Sequence, residues 1–240
     1  MPGASRVLAT AARASRQESA WRPPIDAFTA RERRLIDRLR SPRAVQAFLN
    51  GLPYNTEPPP DPATLRSFRG VVRAGTAHCL EAALTATVIL EQHGYPPLVM
   101  SLESIDALDH VLFVYQSRGK WGSVARSRDP GLHGRRPVFA SVRALAWSYF
   151  DPYIDFSGCV KGYAVVNLER LGRYDWRLAE GNIWKVERLL LDEPHRPMRY
   201  SQRRVDRLRM NYFRFRREHA GRKPVYYDRG SWTAIPTEFL

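Results

Sequence analysis

GTAHCLEAALTATVILEQHGYPPLVMSLESIDALDHVLFVYQSRGKWGSVA, residues 75–125, is the stretch that decides the fold. Gly75 to His78 lead into Cys79, and Leu80 to His93 reads as a helix. Leu80, Leu84, Val88 and Leu90 supply its buried stripe, and its alanines permit close packing. Gly94 stops it, with Pro96 and Pro97 just beyond. Leu98 to Leu102 then reads as a strand, Ser104 to Ala107 as a polar connection, and His110 to Tyr115 as a strongly apolar strand. Ser117-Arg118-Gly119-Lys120 makes a turn, after which Trp121 to Ala125 returns. A helix followed by an antiparallel hairpin predicts α+β rather than a parallel α/β unit.

Two side chains in this stretch carry potential chemistry. Cys79 opens the helix, where unpaired amides and the positive end of the dipole stabilise a thiolate and a developing oxyanion. His110 begins the apolar strand and shares a face with Leu112 and Val114. A thiolate needs such a base. The plain alternatives are a hydrogen-bonded structural histidine and an inert thiol. An imidazole base also needs an orienting group. With Gly119-Lys120 as the hairpin loop, His110 faces Asp129. With Arg118-Gly119 as the loop, it faces Ser127. Asp129 is the candidate orienter, and a turn aspartate before Pro130-Gly131 is its structural alternative. Glu81 reads as a first-turn acid facing away from the thiol. His78 reads as a thiol-tuning group or a cap neighbour. Cys159 lacks a helix-start context.

Cys79-Leu80-Glu81-Ala82-Ala83, then Leu90, Gly94 and Pro96, then His110 to Tyr115 and Gly119-Lys120-Trp121 together resemble the transglutaminase-like superfamily of cysteine enzymes. The resemblance spans roughly residues 70–145. It implies a papain-like core: a Cys-bearing helix packed on a small antiparallel sheet, with Cys79 as nucleophile and His110 as base. It also implies acyl transfer at an amide or peptide bond of a peptide or protein substrate. The family's aspartate commonly stands four residues after the hairpin tryptophan, where this chain has Ala125. Asp129, Ser127 or a backbone carbonyl could take that place, or the site could be inactive and serve only as a scaffold or peptide-binding module.

Working outward, residues 1–24 read as a flexible basic arm, with Arg6, Arg13, Arg16 and Arg22 among small residues. Residues 25–68 form a helical region. Thr29 caps one helix, Ser41-Pro42 starts another, and Asp61-Pro62 begins a short third one. The core is expected over 69–158, and a basic extension packing on it over 159–240. Within that extension, Arg199 to Ala220 reads as a helix with Val205, Leu208, Tyr212 and Phe215 inward.

The 240 residues carry 38 Lys+Arg against 24 Asp+Glu, a formal charge of +14. That balance permits nucleic acid as a partner. The interspersed acids and the docking face of the last helix favour a solvated surface instead. Two cysteines exclude a disulfide framework and a four-thiolate zinc site. No short His/Cys spacing suggests a metal, no cofactor motif is present, and no apolar run spans a membrane. With no secretory pattern, a cytoplasmic location is expected.

Overall fold

The computed structural model describes residues 22–57, 62–107 and 109–218. The arm expected over residues 1–24 thus lies almost wholly outside the described residues. The proline triplet and the last twenty residues lie outside them as well.

Among the described residues the fold is α+β, as the hairpin pattern predicted. Seven α-helices are α1 (Ala30–Arg38), α2 (Pro42–Asn50), α3 (Phe68–Ala74), α4 (Cys79–Glu91), α5 (Val142–Tyr153), α6 (Trp184–Leu191) and α7 (Gln202–Glu218). Six strands are β1 (Leu98–Ser104), β2 (His110–Ser117), β3 (Lys120–Val124), β4 (Arg135–Phe139), β5 (Val160–Asn167) and β6 (Arg196–Pro197). They form one antiparallel sheet in the order β4-β3-β2-β1-β5-β6.

Both faces of the sheet are covered. Val99, Val111, Phe113, Tyr115 and Val166 pack against α1 to α4 and α6. Met100, Leu102, Leu112 and Val114 pack against Leu145, Tyr149 and Phe150 of α5 and Val205 and Leu208 of α7. The two sets alternate along each strand, as the pleat requires. Helix α4 lies between the sheet and the amino-terminal helices. Every residue from Leu80 to Glu91 is buried, not merely a stripe. Its alanines are what let a helix sit this close to neighbours on all sides.

Local signals explain most helix starts. Thr29 Oγ1 accepts from Glu32 N and Glu32 Oε2 accepts from Thr29 N, a reciprocal cap. Ser41 Oγ accepts from Ala44 N, with Pro42 at the first helical position. The helix expected from Asp61-Pro62 does not form over 62–66. The amides of Thr64, Leu65 and Arg66 donate instead to the side chains of Glu57, Asn182 and Glu81. The helix starts only at Phe68, capped by Ser67. Helix α7 docks by Val205, Leu208, Tyr212 and Phe215, while Arg204 pairs with Asp151 and Arg209 donates to the Asp155 carbonyl.

The β2–β3 register pairs Phe113 with Val124 and Ser117 with Lys120. Arg118-Gly119 is therefore the loop, the alternative that pointed His110 towards Ser127. Both loop residues are left-handed, at φ 49° and 73°, as a two-residue turn matching the strand twist demands. Arg118 is exposed there and carries a side-chain strain that glycine would not. Arg118→Gly is expected to stabilise the protein by about 0.5–1 kcal/mol, read as a higher urea midpoint at unchanged slope. A lower midpoint would contradict the strain.

Candidate active site

The site lies where the amino end of α4 meets the first residue of β2. The chain reaches Cys79 along a short parallel bridge. Ala77 N donates to the Pro53 carbonyl at 3.3 Å, and Asn55 N donates to the Ala77 carbonyl at 3.2 Å. That pairing lays Tyr54 over the start of the helix. Cys79 itself is half-buried, whereas Cys159 is fully buried.

Three side chains converge on the Cys79 sulfur. Burial alone would push the thiol up. The imidazoles of His110 and His78, by hydrogen bonding and by charge, outweigh that and hold it down at about 5. The third is Tyr54, whose phenol lies in reach of the Cys79 thiol and backbone N–H. Burial, then the neighbouring thiolate, pushes Tyr54 well above the usual phenol range. Tyr153 of α5 also feels the thiolate; burial and the charge of Asp106 raise it more strongly.

His110 is buried at the end of its strand, its ring 6.2 Å from the Tyr149 ring. Its Nε2 lies 2.8 Å from the Leu132 carbonyl oxygen. A carbonyl only accepts, so Nε2 carries the proton and Nδ1 is the nitrogen left to exchange one with the thiol. The group on the far side of the imidazole is thus a backbone carbonyl in the short 3-10 turn Pro130–Leu132.

Much of the surrounding loop is built to hold that turn. Asp129 Oδ1 accepts from Gly131 N at 3.4 Å, and Ser127 Oγ accepts from Asp129 N at 3.1 Å. The geometry therefore places Asp129 at the foot of the turn. Arg135, 2% exposed, aims its guanidinium at the carbonyls of Gly131 and His133 and lies 4.2 Å from the Tyr149 ring centroid. Tyr149 Oη donates to the His133 carbonyl at 3.0 Å. On the other side, Gln46 of α2 accepts from Ala125 N at 2.9 Å and donates to the Ala125 carbonyl at 2.8 Å. Position 125 is an anchoring backbone, and its methyl side chain is fully buried.

Behind His78 lies a buried polar knot. Glu81 is fully buried and takes Arg66 Nε at 2.7 Å and Nη2 at 2.8 Å, together with the backbone amides of Arg66 and His78. Glu81 is a first-turn acid whose carboxylate folds back onto the His78 amide at the helix start. His78 Nε2 sits 3.0 Å from the Thr64 carbonyl and 3.7 Å from Glu81 Oε1. Burial lowers the His78 pKa, but the Cys79 sulfur and Glu81 more than offset this and carry it up to about 9.

Sequence reasoning named Cys79, His110 and Asp129. It did not find Tyr54, the Leu132 carbonyl, Arg135 or Gln46, and it left His78 as a thiol-tuning group or a cap neighbour. Among the described residues no group of three or more His, Cys, Asp or Glu is arranged to hold a metal ion, and no helix is long and apolar enough to cross a membrane.

No family model matches the chain, and no curated protein matches it. Among solved structures it is similar to LapG of Legionella pneumophila. The EGTA-treated form is 14% identical, with 63% of this chain and 90% of that chain covered and a TM-score of 0.34. Another LapG structure has the same identity and coverage and a TM-score of 0.35. The calcium-bound form is 14% identical, with 69% and 94% covered and a TM-score of 0.33. A likeness this slight carries no chemistry across, so the site rests on its own geometry.

Proposed function

We propose that this chain is a transglutaminase-like thiol hydrolase acting on an amide or peptide bond of a peptide or protein. The observation that carries the reading is the convergence of His110 on a helix-start thiol that is held as thiolate near neutral pH. In the proposed cycle the Cys79 sulfur attacks the substrate carbonyl carbon, and the carbonyl π electrons move onto oxygen. In this cycle the Cys79 N–H and the Tyr54 phenol, which lie beside one another, receive that oxyanion. The tetrahedral species collapses, the C–N bond breaks, and His110 Nδ1 delivers a proton to the departing amine. Water then attacks the acyl thioester and gives its proton to His110 Nδ1. Breaking of the C–S bond releases the acid and restores the thiolate. The Leu132 carbonyl orients the imidazole, and Asp129 acts as a positioning residue through the turn that presents that carbonyl. An inactive scaffold or peptide-binding module is the alternative that Ala125, at the family's usual aspartate position, suggests. The Leu132 carbonyl at 2.8 Å from His110 Nε2 supports the catalytic reading over that alternative.

The test needs no known substrate. Iodoacetamide at pH 6.5 is expected to alkylate Cys79 at least about tenfold faster than a free thiol of ordinary pKa, and to leave Cys159 largely unmodified in the folded protein. Peptide mass mapping reads the two sites separately. Equal and slow modification of both would defeat the proposal. Turnover of a mixed peptide library, abolished by Cys79→Ala, would then define the bond cleaved.

A further inference from the structure

Most thiol–imidazole sites rely on one histidine both to keep the sulfur ionised and to move the proton. This site has a second imidazole on the sulfur, in the residue just before the nucleophile. His78 Nε2 points at the Thr64 carbonyl at 3.0 Å and is 3.7 Å from Glu81 Oε1. Its remaining nitrogen is the one left for Cys79. A ring lying between a carbonyl oxygen on one side and a thiolate on the other needs a proton on each nitrogen. The buried carboxylate behind it compensates that charge, and Glu81 is itself locked by Arg66.

We infer that His78 is a dedicated imidazolium that holds the Cys79 thiolate, and that this frees His110 to act as the proton carrier. The inference rests on Cys79 being the nucleophile, as proposed above. Geometry dictates the division of labour. His78 has acceptors on both sides and no lone pair with which to take a proton. His110 has one nitrogen committed to Leu132 and the other available. The groups facing the pair are few. Glu81 and Arg66 lie behind His78, Tyr54, Tyr153 and His110 lie around the sulfur, and the charge of Arg128 reaches Tyr54. The Tyr54 and Tyr153 phenols are both raised and so stay neutral across the working range. The charges acting directly on the sulfur are those of the two imidazoles, with the helix end beside them.

The experiment is the pH dependence of Cys79 alkylation by iodoacetamide in wild type, H110A, H78Q and the double variant, with folding checked by thermal melting. In H110A the thiol is expected to stay acidic, with an apparent pKa clearly below that of a free cysteine. In H78Q alkylation at pH 6.5 should slow about fourfold relative to wild type and converge with it above pH 9, as a thiol midpoint moved from about 5 to about 7 requires. In the double variant the thiol should return to the ordinary range. An ordinary thiol in H110A alone overturns the inference, as does a thiol that stays acidic in the double variant. The H110A arm decides by itself if His78 variants do not fold. These readouts follow the sulfur, not turnover. A failure of peptide hydrolysis would therefore strike the proposed function and leave the ionisation result standing.

Discussion

His110→Ala is expected to lower kcat for amide hydrolysis by about a thousandfold or more, with KM little changed. The reason is chemical. The departing amine must be protonated as the C–N bond breaks, and the His110 Nδ1 proton is the one the geometry offers. No neighbouring group can stand in. His78 is fully committed to Thr64 and the sulfur, while burial and Arg126 hold His133 down at about 4, neutral and without a proton to give. Asp129→Asn should behave differently. Asparagine keeps an oxygen for Gly131 N, so the turn and its Leu132 carbonyl survive. A loss of no more than about tenfold is expected for a group that acts through position. Steady-state kinetics on one peptide substrate separates the two. Should Asp129→Asn prove as damaging as His110→Ala, the carboxylate would be acting on the imidazole itself and the carbonyl assignment would fail.

What could be seen in the residues was whatever leaves a residue-type signature. The α4 helix and the β2–β3 hairpin follow from apolar periodicity, Gly94, and the turn at Arg118-Gly119. Cys79 and His110 stood out because a thiol at a helix start and a polar residue leading an apolar strand are both anomalies. The orienting group left no such trace, because a backbone carbonyl has no residue type. Its delivery depends on a 3-10 turn, on strand β4 and on the buried Arg135, none of which shows an alternating or helical pattern. Tyr54 was hidden for another reason. It joins the site through a single bridge to Ala77, set by the backbone and not by pattern. The failed helix at Asp61-Pro62 shows the competing principle. A good local start signal lost to side chains elsewhere in the chain that needed those amides.

Those amides lead to the Glu81 carboxylate, whose loss is expected to have the largest effect on stability. Glu81→Ala should destabilise the protein by about 3–5 kcal/mol, measured by urea unfolding at pH 7. The carboxylate is fully buried and holds the Arg66 guanidinium and two backbone amides. Without it a cation and those donors are stranded where water reaches poorly. Replacing both partners, Glu81→Leu with Arg66→Met, should recover part of the loss, because no uncompensated charge then remains. The pH dependence has a definite sign. Burial raises the Glu81 pKa, but the Arg66 hydrogen bonds and the charge of His78 outweigh that and leave it below its ordinary 4.5. A carboxyl depressed on folding contributes its full stabilisation above the unfolded value and loses it as pH falls through the folded one. The gap between wild type and Glu81→Ala should therefore be largest near pH 5, where the His78 charge that Glu81 supports is also fully present, and close in stronger acid. A gap that keeps widening below about pH 4 would mean that Glu81 folds protonated, and the ion-paired knot behind the nucleophile would have to be abandoned.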